Sequence, residues 1–277
     1  MATNALLPRR TFLAAAGAAA LAVHTHGAAG PAAGRTPSIL VSGGAMMRGD
    51  RFVASVQGVM RAHFGTVRRL ALVLHATHPA ERNAMEARIQ AAFRELGLRT
   101  VQSLHRRDEA GALALLREAD GIFIGGGETF VLLAELQRTG QLALIRERAL
   151  AGVPCGGSSA GANVIGRRIG TTNDFPVADV ASREALGLLP VTINPHHPPP
   201  TKEADFRVRA GKIRGYLRFN PGERVLALGD AAVLRLHAGT ARLAAGQGWL
   251  YEAGRDRELV AGEPLPELAE ASGASSR

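Results

Sequence analysis

From Ser38 onward the chain alternates short, nearly unbroken apolar runs with longer stretches in which apolar residues recur every three or four positions. Ile39-Leu40-Val41 precedes an amphipathic stretch over 51–63, the run 70–74 precedes 80–96, and Thr100-Val101 precedes 109–118. Gly121-Ile122-Phe123-Ile124 then leads through a glycine triplet into a helical pattern over 129–137. These elements read as strand, helix, strand, helix. Strands that are apolar on both sides need cover on both faces, so the pattern predicts an α/β fold with a doubly wound, mainly parallel sheet flanked by helices. Beyond Val225 the runs become short and β-like, at 225–228, 232–236 and 241–244, and predict a C-terminal β region.

The first 34 residues stand outside this pattern. Arg9-Arg10-Thr11-Phe12-Leu13 precedes an Ala-rich apolar run over 14–23 that is too short to span a bilayer, and Ala20-Leu21-Ala22 is a small-residue cleavage candidate. Residues 1–34 therefore read as a twin-arginine-type signal peptide with a flexible Ala/Gly/Pro leader, implying a periplasmic or secreted protein with no stable membrane insertion after signal removal. His24 and His26 fall in this leader, where a metal role is not expected. One catalytic domain is expected over 35–265, and the remaining 266–277 read as a disordered tail.

Composition narrows the function classes. The chain of 277 residues carries a formal charge of +9, which invites a nucleic-acid partner. Its lysines are only Lys202 and Lys212, its arginines are scattered, and aromatics make up 4%, so neither a basic stripe nor a base-stacking surface is expected. The single cysteine, Cys155, excludes an intrachain disulfide and a multi-cysteine metal cage.

Gly157-Ser158-Ser159-Ala160-Gly161 fits G-x-S-x-G between an apolar run and a predicted helix, the setting of a nucleophile elbow. Small residues around Ser159 permit the sharp turn, and the Ala160 amide at a helix start can stabilise an oxyanion. A serine hydroxyl needs a base. Among His63, His75, His78, His105, His196, His197 and His237, only His196 follows a short apolar run into a loop, Asn194-Pro195-His196-His197-Pro198, at a predicted carboxyl end. Asp174 lies in Thr171-Thr172-Asn173-Asp174, where it can orient an imidazole or simply form a turn. Gly125-Gly126-Gly127-Glu128-Thr129 joins a strand to a helix and can cradle a phosphate or present amides to an oxyanion. It lacks the Lys-Ser/Thr of a P-loop and the full dinucleotide fingerprint, which argues against a nucleotide cofactor. Arg209, Lys212 and Arg214 fall on a predicted helix, either as a solvated basic face or with an Arg fork for a carboxylate.

Together, Gly125-Gly126-Gly127 with Thr129-Phe130, the run Ser159-Ala160-Gly161-Ala162-Asn163, Thr171-Thr172-Asn173-Asp174 and Ile193-Asn194-Pro195-His196 resemble the dipeptidase E and cyanophycinase family of serine peptidases, which has a class I glutamine amidotransferase-like fold. The resemblance implies Ser159 as nucleophile, His196 as general base, Asp174 as its orienting acid, and the Gly127 and Ala160 amides as oxyanion hole. It further implies that Arg209 holds an aspartyl carboxylate, that the substrate is a small dipeptide with N-terminal aspartate, and that no metal or organic cofactor takes part. Glu128 stands where the family usually has asparagine or glutamine, adding a negative charge that suits a substrate amine but repels an aspartyl carboxylate, which would shift preference toward other peptides. Two alternatives are a cyanophycinase-like peptidase acting on β-aspartyl-arginine units and a non-catalytic binding protein on the same fold. A glutamine amidotransferase is disfavoured, because its elbow carries cysteine where this chain has Ser159.

Overall fold

A computed structural model describes residues 36–269. The chain begins with β1 (Ile39–Ser42), a small hairpin of β2 (Met47–Arg48) and β3 (Arg51–Phe52), and α1 (Ala54–Phe64). It continues through β4 (Arg69–Val73), α2 (Arg82–Glu95), β5 (Thr100–Ser103), α3 (Glu109–Glu118) and β6 (Gly121–Ile124). Two helices, α4 (Thr129–Arg138) and α5 (Gln141–Leu150), lead to β7 (Cys155–Ser158), α6 (Ala160–Ile165) and β8 (Thr192–Asn194). The long α7 (Glu203–Phe219) precedes β9 (Val225–Leu228), β10 (Val233–His237), β11 (Thr240–Ala245), β12 (Gly248–Glu252) and β13 (Arg255–Glu258).

The main sheet has the order β11-β10-β1-β7-β6-β4-β5. Its five strands β1, β7, β6, β4 and β5 are parallel, and the β10–β11 hairpin joins the β1 edge antiparallel. Alternation along each strand divides the core into two layers, because successive side chains point to opposite faces. Ile39, Val41, Ala71, Val73, Ile122 and Ile124 pack under α3 to α6, while Leu40, Leu70, Leu72 and Phe123 pack under α1 and α2. On the second face Phe52, Phe64, Phe93 and Phe123 meet edge to face, with centroids 5.2 to 6.1 Å apart, the arrangement favoured by aromatic quadrupoles.

The expected C-terminal β region is divided between two sheets. Strands β10 and β11 complete the main sheet, whereas β9, β12 and β13 join β8 in a second sheet of order β13-β12-β9-β8. That sheet turns Leu226, Leu228 and Leu250 toward the main core and packs Val225, Ala227, Trp249 and Tyr251 against Ala210, Ile213 and Leu217 of α7. Residues Pro266–Leu268 form a 3-10 turn in which Leu268 is fully buried, so 266–268 is corrected from disordered tail to ordered chain that contributes Leu268 to the core. The signal-peptide assignment, and the tail from residue 270, lie outside the described residues. Among the described residues no helix is long and apolar enough to cross a membrane.

Candidate active site

Strands β1, β7 and β6 are neighbours in the main sheet, and their carboxyl ends meet those of the parallel pair β8 and β9. Loops after five strands therefore converge, as expected where ligands bind in open α/β sheets. Backbone bonds tie the loops together: His196 N donates to Gly43 O at 2.9 Å, His197 N to Leu228 O at 2.9 Å, and Ala231 N to Gly44 O at 2.7 Å.

Ser159 sits between β7 and α6 at φ 54° and ψ −116°, a conformation strained for a residue with a Cβ. Its neighbours show why the turn tolerates only small residues. A Cβ on Gly161 would lie 2.2 Å from Ile124 O, and one on Gly157 would lie 2.7 Å from the Gly161 backbone. Gly126 approaches Ser159 from the β6 loop so closely that a Cβ there would stand 3.0 Å from Ser159 Cβ. Ala160 opens α6, so its N–H has no acceptor within the helix, and among the described residues the Gly126 and Gly127 N–H groups have no hydrogen-bond partner either. Gly127, at φ 131°, passes beneath Ala76 O, where a Cβ would stand at 2.2 Å.

His196 also has positive φ, 53°, and projects its ring toward the elbow. Its Nε2 lies 2.9 Å from Ser159 Oγ and its Nδ1 2.6 Å from Asp230 Oδ1. A carboxylate at Nδ1 selects the tautomer with the proton on Nδ1, which leaves Nε2 to accept from the serine hydroxyl. The ring rests on Gly44, whose missing Cβ would lie 2.1 Å from Cε1. The next residue, His197, is buried against Trp249 and Phe206, accepts from Tyr251 Oη at 3.0 Å and donates to Pro198 O at 3.0 Å. Burial pushes its pKa down to about 4, so it stays neutral and anchors the loop that carries His196.

Asp174 does not reach His196, which corrects its expected role as orienting acid. Its Oδ2 accepts from Thr129 N at 2.8 Å, Thr129 Oγ1 at 2.5 Å and Thr172 Oγ1 at 3.2 Å. It caps α4 from a distant loop, taking the place of Glu128, which occupies the N-cap position without a side-chain bond to the helix. The carboxylate facing His196 comes instead from Gly229-Asp230-Ala231, directly after β9. In the sequence only its place at a strand's carboxyl end marks it, because chain order does not show which strand ends meet there.

Arg209, on α7, donates from Nη1 to Asn194 Oδ1 at 3.2 Å and to Pro195 O at 3.4 Å, beside the His196 loop. Half-burial lowers its pKa, yet among the described residues it has no carboxylate partner, which leaves a cation available to an anion. Lys212 and Arg214 do not join it, and Arg214 pairs with Asp256 at 2.5 Å. Glu128 is exposed at the start of α4. Cys155 lies at the start of β7, fully buried, and burial raises its thiol to about 12, so it is no thiolate nucleophile. Of the remaining histidines, His63 is buried beside Ser38, and His75 bonds to Gln141 at 2.8 Å. Among the described residues no group of three or more His, Cys, Asp or Glu side chains is placed to hold a metal.

A cleft of about 260 Å³ opens onto Ser159 and His196. Gly44 and Gly125 to Gly127 form part of its wall, Met46, Met47, Phe52, Met85 and Ile89 form its apolar surface, and Arg88 stands among them.

The sequence matches peptidase family S51 over residues 38–244, well over half of the chain. Peptidase E of Streptomyces coelicolor is 35% identical over 209 residues, which cover 74% of this chain and 84% of that protein. A probable alpha-aspartyl dipeptidase of Drosophila melanogaster is 45% identical over 141 residues, covering 50% of this chain and 55% of that protein. A crystal structure of a peptidase from an acI-B1 Actinobacterium has the same fold, with a TM-score of 0.64 at 16% identity over 83% of this chain and 96% of that one. The chain belongs to peptidase family S51 and is a serine-type peptidase.

Proposed function

We propose that the protein is an exopeptidase that hydrolyses dipeptides bearing an N-terminal aspartate through an acyl-enzyme. The observation that carries this reading is the hydrogen-bonded series Ser159–His196–Asp230, with spacings of 2.9 and 2.6 Å, in a chain of this family. Ser159 Oγ attacks the peptide carbonyl while His196 Nε2 takes its proton, and Asp230 supports the resulting imidazolium. The amides of Gly127 and Ala160 receive the oxyanion, and losing one such donor costs roughly 3 to 4 kcal/mol of transition-state stabilisation. His196 then protonates the leaving amine as the C–N bond breaks, and water activated by the same imidazole releases aspartate. Arg209 holds the aspartyl side-chain carboxylate and Glu128 attracts the substrate ammonium.

The test is hydrolysis of Asp-Leu, Leu-Leu and β-Asp-Arg, with Ser159→Ala as control. Cleavage of Asp-Leu that vanishes in the variant supports the proposal. Cleavage of β-Asp-Arg alone would replace it with the cyanophycinase-like activity, and no cleavage of any of the three would sink it.

We also propose export across the inner bacterial membrane on the strength of Arg9-Arg10-Thr11-Phe12-Leu13 and the apolar run that follows. Replacing both arginines by lysine should retain the protein inside the cell on fractionation. An exported double variant contradicts a twin-arginine route.

A further inference from the structure

We propose that the cleft beside Ser159 is the leaving-group subsite, which takes an apolar residue and holds that residue's terminal carboxylate with Arg88. The inference rests on the dipeptidase reading, and three observations support it.

The first concerns position. The leaving amine must come within reach of His196 Nε2, because the imidazolium returns a proton to it. The backbone packed against that ring is Gly44, whose Cβ, if present, would lie 2.1 Å from Cε1. From Gly44 the chain runs through Ala45, Met46 and Met47 along the cleft wall, so the space beside the imidazole continues into this cleft.

The second concerns surface chemistry. Met46, Phe52 and Ile89 are buried at 4%, 3% and 3% exposure, and Met47 and Met85 are half-buried. Methionine is flexible and polarizable, so such a surface adapts to apolar side chains of different shapes without selecting one. No acidic residue lines the cleft among the described residues, so a lysine or arginine side chain would find no partner there.

The third is Arg88 itself. It projects from α2, and its Nε donates to Gly49 O at 3.0 Å in the turn between β2 and β3. This bond orients the guanidinium, and among the described residues it makes no ion pair, which leaves both Nη groups for a carboxylate. Arg209 does not line this cleft, so the two arginines serve two different anions. A dipeptide with N-terminal aspartate carries two carboxylates, one on the side chain and one at its end. An arginine for the second makes the length limit of a dipeptidase a matter of charge, since a longer peptide places an amide where Arg88 expects an anion.

The experiment is a titration followed by NMR of the protein labelled at its methionine methyl groups. The chain has 5 methionines, and Met46, Met47 and Met85 line the cleft while Met60, fully buried in the core layer behind it, does not line it and reports that the fold is intact. Leucine is expected to shift the three cleft signals and spare Met60. Leucinamide, which lacks the carboxylate, is expected to bind about tenfold or more weakly, and Arg88→Gln to remove that difference. Arg88→Lys, which keeps the charge but not the fork, should retain part of it. Cleft signals unmoved by leucine, equal affinity for leucinamide, or an Arg88→Gln protein that still prefers leucine would each overturn the proposal. Binding is read without turnover, so it separates the two readings. Leucine binding without Asp-Leu cleavage would remove the aspartyl reading and keep the subsite; Asp-Leu cleavage without a carboxylate preference would do the reverse.

Discussion

At the scale of single residues, the site depends as much on absent atoms as on reactive ones. Gly44 is the clearest case, since it lies at φ 126° and its Cβ would overlap the His196 ring at 2.1 Å from Cε1. Gly44→Ala therefore has to displace either the imidazole or the β1 loop, and a misplacement near 1 Å is worth about 100-fold in rate. We expect labelling of Ser159 by a fluorophosphonate to slow by at least about that factor. A normal labelling rate would mean that the ring is not held against this glycine. The sequence alone does not single out Gly44, which stands among other small residues, and a glycine's role shows only when its neighbours in space are known.

At the scale of elements, the two aspartates divide into different tasks. Asp230 faces His196 Nδ1 from the loop after β9, whereas Asp174 caps α4 through Thr129. Asp230→Asn keeps the shape but presents the wrong hydrogen-bonding pattern to Nδ1, so kcat should fall by on the order of 10³–10⁴-fold with the melting temperature nearly unchanged. Asp174→Ala should weaken the helix cap by about 1 kcal/mol, lower the melting temperature, and reduce activity only through the glycine loop that leads into α4. Comparing kcat and thermal unfolding for both variants checks this division; a stable Asp174→Ala protein with a collapsed kcat and a fully active Asp230→Asn protein would reverse it.

At the scale of the whole molecule, buried histidines tie stability to pH. Burial lowers His63 from 6.5 to about 3 and His197 from 6.5 to about 4, and His75 and His105 shift the same way. Each folded pKa lies below the unfolded one, so between these values the unfolded chain binds more protons and stability rises with pH. The stabilisation is complete above about pH 6.5 and is lost on acidification toward the folded values. Urea unfolding from pH 6.5 down to 5 should show a slope of up to about 1.4 kcal/mol per pH unit for each of His63 and His197, above the range in which ordinary carboxylates titrate. His63→Gln should remove one share of that slope; an unchanged slope would show that His63 is not one of its sources.

The sequence by itself determined the alternation of strands and helices, the parallel core from Ile39 to Ser158, the elbow at Ser159 and the placement of His196 at a strand end. These follow from local signals, namely apolar periodicity, glycine at tight turns and residue order within a motif. Tertiary structure alone decided that Asp230 and not Asp174 faces the imidazole, that β10 and β11 cover the edge of β1 while β9, β12 and β13 build a second sheet, and that Leu268 belongs to the core. The physical reason is common to all three. A hydrogen bond between residues 34 positions apart, a choice between two sheet edges, and the burial of one leucine near the end of the chain each depend on which surfaces meet, and chain order does not encode that locally.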